Sequence, residues 1–146
     1  MNTNDTTTNS ANAALLLRLT LGILFLAHAW LKIFVFTPAG AAGYFQSLGL
    51  PGALAYLTIL AEVLGGIALI LGVFTRSVSI ALVPVPLGAI VFVHGANGWL
   101  FTNEGGGWEF PALWVVALIV QALLGGGALV LADDRNLLRL VSRKTV

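Results

Sequence analysis

The chain has 146 residues, 58% hydrophobic and 9% charged, with seven Lys and Arg against six Asp and Glu for a net charge of +1. A soluble domain carries about a quarter charged residues, so a normal solvated surface is excluded and the composition is that of an integral membrane protein. The small net charge gives no argument for a nucleic-acid partner. The lack of cysteine excludes disulfides, thiolate metal sites, iron–sulfur clusters and thiol redox chemistry carried by this chain.

Residues 1–12 are polar and of low complexity, and are expected to form a disordered leader. The apolar run that follows, 13–36, has no positive charge before it and is too long for a signal-peptide core, so it reads as an uncleaved first transmembrane helix. Further apolar runs cover 51–74, 77–94 and 111–132. Each comes near the roughly 20 residues needed to cross a hydrocarbon core of about 30 Å. With no water there to satisfy the backbone, helices are the economical state. Pro51 suits a helix start. Pro84 and Pro86 each remove an N–H, which predicts a kink in the third helix.

Basic residues set the expected topology. Arg18 lies near the start of run one, Arg76 between runs two and three, and Arg135, Arg139, Arg143 and Lys144 after run four. Segments 37–50 and 95–108 have no Lys or Arg, which predicts both termini on the inner side. Trp30, Trp99, Trp108 and Trp114 then fall near the outer interface, where amphipathic rings are favoured. Segment 95–108, rich in glycine and aromatics, is suited to fold back as a lid. Asp133 and Asp134 read as a boundary only. The basic cytoplasmic tail, 135–146, sets Leu137, Leu138, Leu140 and Val141 against its cations, a pattern for a short amphipathic helix on an anionic leaflet. The expected fold is all-α: a 13–134 four-helix transmembrane bundle, N-in and C-in, with that short amphipathic C-terminal helix.

The ionisable residues inside these runs point to a site. His28 and Lys32 lie about 40° apart on a helical wheel, with Arg18 within about 80° of them. Glu62 falls near the centre of run two, His94 closes run three, and Glu109 opens run four. A carboxylate or ammonium at mid-bilayer costs a few kcal/mol and needs partners. The expectation is a hydrogen-bonded cluster of Glu62 with His28 and Lys32 in the outer half of the bundle, with His94 and Glu109 closing it from above. Thr58, Gly65 and Gly66 share the face of Glu62 and permit close helix approach, and Gly125, Gly126 and Gly127 are candidates for the same role in helix four. Trp30, Trp99 and Trp108 are candidate walls for a ring-shaped ligand. Plainer readings stand beside these: a buried pair that only fixes helix register, and a Lys32 that snorkels to the interface. His28, His94, Glu62 and Glu109 are metal-ligand types. None is at a recognised metal spacing, so no metal is assigned. A bis-histidine haem would need His28 and His94 opposed across one ring.

Several stretches together resemble the DoxX family of small four-helix membrane proteins. They are Leu15-Leu16-Leu17-Arg18-Leu19-Thr20-Leu21-Gly22 leading to His28 and Lys32, Ala61-Glu62-Val63-Leu64-Gly65-Gly66, Leu71-Gly72-Val73-Phe74-Thr75-Arg76, and Gly106-Gly107-Trp108-Glu109-Phe110. The resemblance implies a multi-pass protein of the cell inner membrane. For some members it implies a quinone-linked redox role, and for others an accessory place in redox, stress-response or metal-handling systems. It transfers no catalytic residue, and no self-sufficient catalytic motif is present. The leading expectation is an accessory subunit of a quinone-linked redox or stress-response system, acting with a protein partner. Glu62 and His28 would be its proton-active pair, tuned by Lys32. The alternative is a non-enzymatic scaffold or a small transport or metal-handling component, with self-association left open.

Overall fold

The computed structural model describes residues 3–134. The described residues form α1 (Thr3–Trp30), α2 (Pro38–Ser47), α3 (Ala53–Leu71), α4 (Thr75–Leu82), α5 (Pro84–Ala89) and α6 (Glu109–Leu124). A π turn, Leu31–Val35, prolongs α1, and a second, Ile90–His94, prolongs α5 before a short 3-10 turn at Gly95–Asn97. Three stretches are long and apolar enough to cross a bilayer: Thr6–Val35, Ala53–Leu71 and Thr75–Asn97. Glu109–Leu124 is a shorter apolar helix.

The helical bundle agrees with the expected class, and its boundaries differ in three places, while a fourth feature, the break in the third run, falls as expected. The first helix begins at Thr3, so the polar leader is helical where it is described. The segment expected as an outer loop contains α2, with Pro38 in its first turn and the Thr37 hydroxyl accepting from the Gly40 N–H at 3.2 Å. The third run breaks where its prolines predict: Val83 joins α4 to α5, and Pro84 opens the second piece, where a missing N–H costs nothing. The fourth run ends at Leu124, not at residue 132. Gly125 takes φ 83°, and Gly127 is also left-handed, so these glycines terminate the helix instead of packing within it. The expected amphipathic tail helix, 135–146, lies outside the described residues.

Segment 125–134 folds back along the near end of the bundle. Ala128 N–H donates to Ala11 O at 3.1 Å, Phe74 N–H to Ala132 O at 2.9 Å, and Ala132 N–H to Gly72 O at 3.2 Å. This places the start of α1, the α3–α4 turn and residues 125–134 at one end, called here the turn end. The opposite end carries α2 and the 98–108 loop, and is called the loop end.

Helices α1 and α3 run antiparallel with their backbones nearly touching. A methyl group added at Gly22 would lie 2.8 Å from Gly66 O, and one added at Gly66 would lie 3.0 Å from Gly22 O. Gly65 likewise leaves space for Leu82 of α4. The small residues that share a face with Glu62 thus allow the helix approach expected of them. Leu21, Phe25, Leu69, Leu82, Trp114 and Leu118 form the buried core. Many large apolar side chains, among them Ile23, Leu64, Ile80, Leu113 and Leu123, point outward, as a surface bounded by acyl chains requires.

Candidate functional site

The site begins with one ion pair. Lys32, in the π turn that ends α1, donates to both carboxylate oxygens of Glu62 on α3, at 2.8 Å and 3.0 Å. Glu62 is 2% exposed and Lys32 19%. In the antiparallel packing about the Gly22–Gly66 contact, Glu62 lies four residues and Lys32 ten residues beyond it, about 9 Å apart along the axis, and the long lysine side chain spans that gap. An unpaired carboxylate there would be costly, and the two-pronged contact with Lys32 supplies its counter-charge. The π turn matters because its wider ring changes the helical phase at Lys32, and such turns recur where a side chain must be re-aimed. An ammonium has three N–H groups, of which the Glu62 oxygens take two.

His28 lies one turn below Lys32 but does not hydrogen-bond to Glu62, contrary to the expected three-residue cluster. Its Nδ1–H donates to Leu24 O at 3.0 Å, because a carbonyl only accepts. That fixes Nε2 as the nitrogen able to take up a proton. The ring packs edge-on against Trp114, with centroids 4.7 Å apart. Trp114 also contacts Phe25 at 4.8 Å and Phe110 at 5.8 Å. Trp114 is 8% exposed, and its buried Nε1–H has no acceptor among the described residues. Sequence reasoning placed this tryptophan at the interface; the only signal available was its position four residues after Phe110, on the same face of α6.

His94 and Glu109 hold the loop end together and do not join the ion pair. His94 Nδ1–H donates to Gly106 O at 2.9 Å, and Glu109 accepts the Phe101 N–H at 2.7 Å. Asn97 adds bonds to Gly105 O and Gly106 O, each 3.0 Å, and Trp99 meets Trp108 edge-on at 4.5 Å. The loop therefore folds on its own backbone, held by His94, Asn97 and Glu109. Trp30 does not wall the site. It is 54% exposed and packs beside Phe34. Trp99, Phe101, Glu109, Phe110 and Leu113 instead border an open apolar groove of about 790 Å³ along the loop-end half of α6. Among the described residues no three His, Asp or Glu side chains converge as ligands for a metal ion.

The turn end holds residues that composition alone did not single out. Arg18 is 1% exposed, and its Nη2 donates to Ala128 O at 3.2 Å and Leu129 O at 3.1 Å. Its Nε and Nη1 have no partner among the described residues. Arg76 Nη1 donates to the carbonyls of Ala122 and Leu123, at 2.7 Å and 2.8 Å, placing a cation on the negative end of α6. Asp134, read from sequence as a boundary only, caps α4: it accepts the Arg76 N–H and the Ser77 N–H, each at 3.1 Å, and the Ser77 hydroxyl at 2.6 Å. Burial acts to raise the Asp134 carboxyl, and these hydrogen bonds outweigh it, holding the group below its ordinary range.

Comparison with known proteins matches the same part of the chain. Residues 13–95, which carry Arg18, His28, Lys32, Glu62 and His94, match the DoxX family profile. The chain is 32% identical over 117 residues to a Bacillus subtilis (strain 168) protein named "Putative oxidoreductase CatD", across 80% of this chain and 82% of that one. It is 33% identical over 95 residues to "Inner membrane protein YqjF" of Escherichia coli (strain K12), across 62% of this chain and 72% of that one. No solved structure matches it. The chain belongs to the DoxX family and is a multi-pass membrane protein.

Proposed function

We propose that this protein is an accessory inner-membrane subunit of a quinone-linked redox or stress-response system, and that Lys32, Glu62 and His28 hold and pass protons for it. The observation that carries this reading is the two-pronged Lys32–Glu62 contact, with Glu62 buried between helices and Lys32 partly exposed. A carboxylate and an ammonium in a dry bundle can exchange one proton without creating net charge, which suits a group that must take up and release protons. The third Lys32 N–H is the natural donor to a quinone carbonyl, and His28 Nε2 is a proton acceptor close below. Reduction of a quinone consumes two electrons and two protons; the partner protein would deliver the electrons and this chain the protons. A relative named as an oxidoreductase supports a redox setting.

The test is binding of a short-chain ubiquinone analogue to the purified, reconstituted protein. Wild type is expected to bind, and Glu62→Gln to bind at least ten-fold more weakly, because the ammonium loses the partner that orients it. Equal binding by both, or none by either, removes the reading.

A second reading is a non-enzymatic scaffold or small transport or metal-handling component, and the Gly22–Gly66 contact favours it. The ion pair lies in that same α1–α3 interface, where it would serve as a register lock. Glu62→Gln would then lower thermal stability while any cellular phenotype persisted wherever protein level was maintained.

A further inference from the structure

Lys32 lies in the turn that ends α1 on the loop-end side and is 19% exposed, while what lies beneath the ion pair is apolar. Below His28, α1 contributes Phe25 and Leu21, at 0% and 2% exposure. The facing helices contribute Leu69, Leu82 and Leu118, each at 2% or less. All five are apolar, they come from α1, α3, α4 and α6, and they pack as one cluster. At the same level Gly22 and Gly66 bring α1 and α3 to backbone contact, which leaves no space for a file of water between them.

Beneath this layer the polar residues change in kind. From Lys32 to Arg18 is 14 residues of α1, about 21 Å at 1.5 Å per residue. The buried polar side chains on the turn-end side of the layer are Arg18, Thr75, Gln121 and Asp134, with Ser79 bonded to Thr75 O at 2.7 Å. None of these supplies a titrating group against the layer: Thr75, Ser79 and Gln121 do not ionise, a guanidinium keeps its proton at any physiological pH, and the Asp134 carboxylate is taken up by the Arg76 and Ser77 N–H groups and the Ser77 hydroxyl. A fixed positive charge also repels hydronium and metal cations approaching from that side.

We propose that the Lys32–Glu62 site is blind-ended: protons and ligands reach it from the loop end alone, and the layer from Phe25 down to Arg18 is a barrier that stops the bundle conducting protons or cations. The biological use of this arrangement rests on the proton-handling reading above, since a donor for a membrane-dissolved acceptor must not short-circuit the gradient across the bilayer. The access itself can be read without a quinone or a redox partner. Loss of quinone binding would therefore leave the barrier standing, and a failed barrier would leave quinone binding intact.

The chain lacks cysteine, so single-cysteine reporters need no prior removal. Asn103→Cys marks the loop end and Leu131→Cys, 71% exposed in wild type, marks the turn end. Lys32→Cys reports on the site, and Thr58→Cys, one turn along α3 from Glu62, does so with the ion pair intact. In sealed proteoliposomes treated with a charged, impermeant maleimide, the labelled fraction of both site reporters should equal that of Asn103→Cys and complement that of Leu131→Cys. Wild-type vesicles under an imposed pH gradient should leak protons at the rate of empty vesicles. The double variant Arg18→Gln/Leu118→Asn should leak at least ten-fold faster. Thr58→Cys labelled from both faces, or from neither, overturns the proposal, as does wild-type leakage above the empty control. A folded double variant as tight as wild type overturns the assignment of Arg18 and Leu118 to the barrier. Should that variant fail to fold, the Thr58→Cys labelling decides.

Discussion

The two ends of this bundle handle buried charge in opposite ways. At the loop end Lys32 and Glu62 neutralise each other, each supplying what the other lacks. At the turn end charges are set against helix ends and open carbonyls: Arg18 on residues 128 and 129, Arg76 on the last carbonyls of α6, Asp134 on the first N–H groups of α4. The first arrangement can move a proton between its members. The second spends its charges on closing the fold, and its guanidinium groups cannot titrate. On the proton-handling role proposed above, the difference separates a chemical end from a structural one, although both are rich in ionisable residues.

The sharpest way to break this comparison is at the ion pair. Lys32→Met leaves Glu62 buried without its counter-charge and should cost about 3 kcal/mol, measured by unfolding in detergent. The double variant Lys32→Met/Glu62→Leu should recover most of that loss. A single variant as stable as wild type would mean that charge does not hold the loop end. A smaller effect is expected between the two ends. Gly66→Ala places a methyl 3.0 Å from Gly22 O and 2.9 Å from the Leu26 side chain, and forcing α1 and α3 apart should cost about 2 kcal/mol. It should also weaken the Lys32–Glu62 contact, so that combining it with Lys32→Met gives less than the sum of the two losses.

The smallest effect belongs to the turn end. Asp134→Ala should cost about 1 kcal/mol as the loss of a helix cap. Since hydrogen bonds hold the folded carboxyl below its unfolded value, its contribution is complete above about pH 4 and is lost as pH falls through the depressed value. Thermal melts at pH 7 should separate the two proteins, and melts in strong acid should bring them together. Convergence at high pH instead would reverse the sign argued here.

The sequence displayed some of this plainly and concealed the rest for physical reasons. Apolar run length located the membrane helices, and the cost of charge in hydrocarbon pointed to His28, Lys32 and Glu62 before any coordinates. It could not say which of the two basic groups Glu62 would meet, because a π turn shifts the phase of Lys32 and leaves no mark on hydropathy. The end of the fourth run was misplaced because residues 125–132 are as apolar as the helix before them, and only the left-handed glycines show where the chain turns. Asp134 resembled a plain boundary because its partners, Arg76 and Ser77, lie nearly 60 residues away in the chain. His94 and Glu109 were correctly placed at one end, yet their partners are backbone groups of the loop, which carry no sequence signature.

The brevity of α6 reaches beyond the protein itself. Its 16 residues span about 24 Å, some 6 Å short of an average hydrocarbon core. With α6 as the fourth membrane helix of the expected bundle, lipid beside it would have to compress locally, or the flanking loop would sink toward the acyl region. Such mismatch would favour thin bilayers and draw short-chain lipids to one flank of the molecule. The composition of the surrounding membrane thus becomes a variable in how firmly the Trp114 side of the bundle is held.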